Sequence, residues 1–235
     1  MTESSYRAGS DAQVPHSITE RWTREALRVY RRYQLEIVEA CGLCPWAERA
    51  RLDGHMRECV LLQTENTATD PSVRTIQGLA IEERIEVALL IFPRMKLGRS
   101  DFEQFVARVR EADAKCHALG EVPFMFAAFH PEAAPDMTHP ERLIPFLRRT
   151  PDPSIQLVRG TVLERVRARA PQGTQFVDIR LLVADDVEYE LPLRERIART
   201  NLATTQRMGV EELRRQLDEI LRDRDETYRA LGLSA

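Results

Sequence analysis

The sequence predicts an α+β fold, a mixed sheet of about four strands packed by helices largely on one face. Three observations predict it. Apolar runs at Glu58 to Gln63, Ile85 to Phe92 and Pro123 to Phe129 have the length and content of strands. The stretch Ser100 to Leu119 separates the second run from the third with a helical apolar period, which makes a strand–helix–strand unit. Long helix-period patterns precede and follow that unit. The arrangement is compatible with a ferredoxin-like core carrying added N- and C-terminal helices.

Each element has its own signal. Residues 1–16 are small and polar and read as a disordered leader, which leaves residues 17–235 as one α+β domain. Ser17-Ile18-Thr19-Glu20 is a capping-box pattern, and Leu27, Tyr30, Ile37, Val38 and Cys41 keep helical spacing behind it until Gly42. Pro45 suits the first position of a short helix that stops near Gly54. The second and third strand runs are almost continuously apolar, as expected for strands covered on both sides or lying centrally. Between them Ser100 is the N-cap, Phe102, Phe105, Val106 and Val109 share a face, and Gly120 closes the helix. Residues 130–153 contain six prolines and read as a long loop, a feature more often functional than idle inside a compact domain. A helix is expected from Ser154 to Ala168, a strand over 175–184, and a helix between Pro192 and Gly209. A last helix follows from Val210 to Leu231, burying Leu213, Leu217, Ile220 and Leu221.

Composition excludes several function classes. The 34 Lys+Arg nearly cancel the 37 Asp+Glu, so no global field recruits nucleic acid or an anionic membrane. No apolar run reaches the roughly 18 residues that span a bilayer, and the first residues lack a signal-peptide core. Four cysteines at these spacings do not form a secreted disulfide scaffold, so a cytoplasmic protein is expected.

Three groups of residues carry candidate chemistry. In Cys41-Gly42-Leu43-Cys44-Pro45, Cys41 falls on the apolar helix face and reads as core. Cys44 would be the N-cap of the helix begun by Pro45, where the dipole and free N–H groups favour a thiolate. His130 ends an apolar strand at the start of the proline-rich loop, where site residues commonly project. Arg148 and Arg149 close that loop and Arg159 lies on the expected Ser154 helix, so the three make a candidate anion clamp for carboxylate or phosphate. Each has a bland alternative: an inert thiol, a structural histidine, salt-bridged arginines. His139 and His55 read as loop residues without a role, and His117 as a helix C-terminal dipole partner.

The ordered set of segments resembles a family of small bacterial proteins classed as a domain of unknown function. That family's pattern runs LCPFA, FHP after a strand, RSPxP leading to a leucine- and arginine-bearing helix, and RNxAT. The counterparts are Leu43-Cys44-Pro45-Trp46-Ala47, Phe129-His130-Pro131, Arg149-Thr150-Pro151-Asp152-Pro153 with Leu157 and Arg159, and Asn201-Leu202-Ala203-Thr204. The resemblance implies that Cys44, His130, Arg149, Arg159 and Asn201 are the residues to watch. This chain departs from the pattern in the loop after Pro131, which lacks aromatics, in Gln156 where histidine is common, and in Thr200 where arginine is usual.

Three functions stay open at this point. One is an enzyme acting on a small anionic metabolite, with Cys44 as nucleophile or redox thiol, His130 as acid/base, the arginines as clamp and Asn201 orienting substrate or an oxyanion. The second is a metal protein in which Cys44 and His130 ligate zinc, iron or copper, with a carboxylate or His55 completing the set. The third is a non-catalytic binding or scaffolding module.

Overall fold

Residues 17–44, 47–64, 68–118, 122–169 and 193–232 are described by the structure, a computed structural model. The first helix, α1 (Ile18–Tyr33), opens with the expected box: Glu20 N–H donates to Ser17 Oγ at 3.2 Å, and Ser17 N–H to the Glu20 carboxylate at 2.7 Å. It then passes into a π-helical segment, Gln34–Glu39, after which Ala40 N–H reaches back to Leu35 O at 3.1 Å. The wider turn keeps Tyr33, Ile37 and Cys41, each four residues from the next, in one buried core. Gly42, at φ 62°, stops the helix in the left-handed conformation that glycine adopts without strain.

The remaining elements are α2 (Ala47–Leu52), β1 (Met56–Val60), α3 (Asp70–Ile81), β2 (Val87–Ile91), α4 (Arg99–Ala114), β3 (Phe124–Phe129), α5 (Pro140–Leu147), β4 (Ser154–Arg159), α6 (Gly160–Arg169), α7 (Leu193–Met208) and α8 (Val210–Ala230). The fold is α+β, and its four strands lie in the order β1-β2-β4-β3. β1 and β2 are parallel, and β4 runs antiparallel to both β2 and β3. A helix separates every pair of consecutive strands, so the connectivity differs from the β-α-β-β-α-β order of a ferredoxin-like core.

Helices cover both faces of the sheet, not largely one. Val87, Leu89 and Ile91 of β2 enter a core with α1, α5 and α8, while Ala88 and Leu90 enter a second core with α3 and α4. The unbroken apolar run of β2 is the sequence's trace of this two-sided burial.

Three segments differ from expectation. Residues 70–81 form α3, which no sequence signal singled out. The proline-rich loop holds α5, with Pro140 in its first turn, where a missing N–H costs nothing, and His139 as N-cap accepting from Glu141 N–H at 3.4 Å. Ser154–Arg159 is a strand, and the expected helix begins only at Gly160. Pairing on both sides, with β2 and with β3, outweighs the helix-start signal of Pro153-Ser154 and turns Ile155 and Leu157 into one core. The expected leader (1–16) and the strand over 175–184 lie outside the described residues.

The C-terminal helix is fastened by ions. Arg224 Nε and Nη2 each lie 2.9 Å from Asp152 Oδ1, and the Tyr228 hydroxyl donates to Asp152 Oδ2 at 2.8 Å. Trp22 of α1 packs edge-on to Tyr228 at 4.7 Å. One turn earlier, Asp223 accepts from Arg28 at 2.7 Å and from Arg32 at 2.9 Å, which holds its carboxyl down at about 2. A carboxyl depressed from 3.8 stabilises the fold fully above that value and loses its contribution as pH falls toward 2. Asp223→Asn is therefore expected to lower unfolding free energy at pH 7 by roughly 1–2 kcal/mol, less at high salt. Urea melts of the two proteins at pH 7 and pH 2.5 check this; the gap should shrink at the lower pH.

Candidate anion-binding cleft

β2 and β3 point the same way, and β4 returns between them. Ile91, Phe129 and Ser154 share one register row, so the exits of β2 and β3 and the entry of β4 meet at one end of the sheet. Three functional segments follow from that: Leu97 and Arg99 after β2, His130 after β3, and Arg148 just before β4. Crevices outside the carboxyl ends of strands are where open sheets commonly bind ligands.

A cleft of about 150 Å³ opens there, lined by Arg99, Glu103, Ala128, His130, Ile144, Pro145 and Arg148. The Arg148 carbonyl accepts from His130 N–H at 3.1 Å and from Thr150 N–H at 3.0 Å, which fixes the backbone beneath its side chain. Its guanidinium stands 5.2 Å over the Phe129 ring. Arg99 is the first residue of α4, after Gly98 as N-cap. Two acidic groups attend it: its N–H lies 3.4 Å from the Glu132 carboxylate, and its Nε lies 2.9 Å from Glu103.

His130 is 6% exposed, and the protein backbone occupies both of its ring nitrogens. Nε2 lies 2.9 Å from the Leu97 carbonyl, which can only accept, so Nε2 carries the proton. Nδ1 lies 3.1 Å from Glu132 N–H, which can only donate, so Nδ1 carries the lone pair. The ring is neutral and pinned, its centroid 5.8 Å from that of Phe102. Burial pushes its pKa below the usual histidine value, against the pull of the Leu97 carbonyl. No ring nitrogen is left in this geometry for a metal or for proton transfer. Among the described residues no group of three or more His, Cys, Asp or Glu side chains is placed to hold a metal ion.

The other residues singled out from sequence lie elsewhere. Arg149 sits next to the cleft with its guanidinium committed: Nε donates to Pro131 O at 2.9 Å and Nη2 to Asp218 at 2.9 Å, tying the loop to α8. Arg159 is at the opposite end of β4, paired with Phe124, five residues along the strand from the Ser154 row. It donates to the carbonyls of Ile85 at 2.6 Å and Glu82 at 2.9 Å and stacks on Phe124 at 4.7 Å, and so holds the end of α3. Asn201 is buried in α7, where its carbonyl accepts from Thr205 Oγ1 at 2.9 Å.

Cys44 is half-buried, and its carbonyl accepts from the N–H of Ala47, the first described residue of α2, at 3.4 Å. Its electrostatic neighbours are Tyr30 and Tyr33. Tyr33 is buried and donates to Leu147 O at 2.7 Å. Burial raises its pKa, opposed by Arg148 and reinforced by Cys44 and Cys41. Arg148 thus lines the cleft and also lies within electrostatic range of Tyr33. Tyr33 falls on the buried stripe of α1 four residues before Ile37, and that spacing is the only sequence signal that could have found it. Arg99 and Glu103 carry a weaker one, an i,i+4 ion pair at a helix start.

Residues 26–181 match the profile of a family described as a protein of unknown function, DUF1415. The chain belongs to that family. The match takes in every residue that lines the cleft, as well as Cys44 and Arg149, and ends before Asn201. No curated protein and no solved structure matches the chain. Among the described residues of this DUF1415 protein, no helix is long and apolar enough to cross a membrane.

Two outcomes follow. A histidine kept neutral by the fold stabilises it fully above the ordinary value near 6.5 and loses that contribution as pH falls toward its lowered folded value. Unfolding free energy is therefore expected to decline from pH 7 to pH 5, and His130→Gln should flatten that slope in denaturant melts. Arg159→Met should cost about 2–4 kcal/mol through the unmatched carbonyls while leaving cleft occupancy unchanged. Thermal melts together with ligand titration check both halves.

Proposed function

We propose that the protein binds a small anionic metabolite in the cleft between the start of α4 and α5. The observation that carries this reading is the pair of arginines, Arg99 and Arg148, among the residues lining one cleft beside the N-terminus of a 16-residue helix. The protein's own carboxylates already answer that charge. Glu132 sits at the helix start and Glu103 on Arg99, so an incoming anion exchanges for groups of its own kind. A cavity of about this volume accommodates a benzene-sized molecule, which sets the scale of the bound group at about six non-hydrogen atoms.

His130 serves this reading as a positioning residue. Its ring ties the β2–α4 connection to the start of the loop after β3, and so sets the distance between the two arginines. That role needs no proton transfer and no metal. Binding is therefore preferred over the Cys44–His130 acid/base pair and over metal ligation by the same two residues.

A second reading keeps Cys44 as a reactive thiol acting on the bound anion. Its support is Arg148, which lines the cleft and also lies within electrostatic range of Tyr33, the neighbour of Cys44.

Calorimetric titration of butyrate and of inorganic phosphate tests the binding reading. At least one is expected to bind, and Arg148→Gln should weaken it more than tenfold, the loss of a charge-assisted hydrogen bond of about 1.5–3 kcal/mol. Absence of binding by either probe would overturn it. Cys44→Ser is expected to leave affinity unchanged, and bound ligand to leave the iodoacetamide rate at Cys44 unchanged. Protection of Cys44 by ligand would move the assignment to the thiol reading.

A further inference from the structure

The two carboxylates at Arg99 are held in different ways. Glu103 sits on the Arg99 guanidinium, its Oε1 2.9 Å from Nε, as an i,i+4 pair along the same helix. Glu132 reaches instead the Arg99 main chain, in the first turn of α4, where its carboxylate accepts from N–H at 3.4 Å. The helix dipole and the N–H groups of a first turn favour a negative group at that position. Glu132 is fixed at one end only. Its own N–H donates to His130 Nδ1 at 3.1 Å, and that ring is pinned in turn at Leu97 O, 2.9 Å from Nε2. Its side chain is 70% exposed, and its bond to Arg99 N–H is long against about 2.9 Å for a well-made one. The carboxylate also lies 3.9 Å from His130 Nδ1, whose lone pair offers it no hydrogen bond. Rotation of the side chain alone carries it into solvent while the backbone stays.

From this we infer that Glu132 is an autoinhibitory place-holder: the ligand's anionic group displaces its carboxylate and takes over Arg99 N–H at the start of α4. The inference rests on the anion-binding reading and names the contact an anion must break to enter. Arg99 and His130 line the cleft, so the N–H that Glu132 occupies belongs to the cleft's own wall. Two anions on one N–H would repel each other at close range, so the carboxylate and the ligand exclude one another. Observed affinity is then the intrinsic affinity reduced by the fraction of molecules in which Glu132 has swung away. A contact of ordinary helix-terminus strength keeps the carboxylate in place in most molecules, and its removal gains about three- to sixfold in affinity. Glu103 stays on the guanidinium throughout, because its contact is to the side chain and leaves the helix start uncovered.

The test is calorimetric titration of inorganic phosphate and of butyrate on the full chain, with Glu132→Gln and Glu132→Asp beside the wild type. Glu132→Gln removes the charge. Glu132→Asp keeps the charge but is one methylene too short to reach Arg99 N–H, so it separates displacement from repulsion at a distance. Both variants are expected to bind the anion about three- to sixfold tighter than the wild type. Glu132→Asp binding no tighter than the wild type would overturn the place-holding contact, whatever Glu132→Gln does, and leave the anion site standing. Weaker binding in either variant would overturn it too. Silence of both probes on all three proteins would sink the anion reading along with it.

Discussion

One topological constraint organises this molecule: β4 runs antiparallel between two strands that run the same way. The chain must therefore leave β3 and enter β4 at the same end of the sheet, so residues 130–153 stay at that end and fold back over it. The β2–α4 connection emerges there too. A cleft between α4 and α5 is the geometric result, and the residues that line it come from three separate stretches of chain. The hydrogen bonds at that end belong to the same arrangement: Phe92 N–H donates to Pro153 O at 2.9 Å, and His130 N–H to Arg148 O.

His130 turns that arrangement into a rigid one. A neutral imidazole between a carbonyl and an amide N–H uses its whole hydrogen-bonding capacity on the backbone. The protein thus uses a residue with catalytic potential as a spacer between segments of distant sequence. Arg149 and Arg159 follow the same pattern, with guanidiniums taken up by main-chain carbonyls, Asp218 and aromatic faces. The forked donor geometry that makes arginine a good anion clamp also makes it a good staple for helix ends and loops. In a chain where arginine is abundant, the two uses cannot be told apart until the neighbours are known. Arg148 is the arginine singled out from sequence that lines the cleft.

The ion pairs of α8 show how the layer above the sheet is held. Asp152 is buried at the entry to β4, and its partners Arg224 and Tyr228 lie one turn apart on α8. Asp152 was unremarkable in sequence, a carboxylate between two prolines. Its importance comes from desolvation: burial alone pushes its carboxyl up, and Arg224 with the Tyr228 hydroxyl opposes that. Removing Arg224 would leave a buried charge unmatched, and removing Tyr228 a buried carboxylate oxygen without its donor.

Local signals in the sequence were enough to determine the N-terminal capping box, the strands β1 to β3, the helix between the last two, and the two C-terminal helices. Each depends on periodicity or on a cap, and those are properties of neighbouring residues. The six prolines within residues 130–153 marked a segment that supplies part of the cleft lining, although it also holds α5. The sequence misassigned Ser154–Arg159, whose strand conformation comes from two partners distant in sequence, and passed over the π turn and α3. Only the tertiary structure decided which of the marked residues share a site. Cys44 and His130 looked like a pair in sequence; the fold pins the imidazole among Leu97, Glu132 and Phe102 and sets the thiol beside Tyr30 and Tyr33. Composition names the groups that can do chemistry, but burial and the identity of each hydrogen-bond partner determine which of them have bonding capacity left for a ligand.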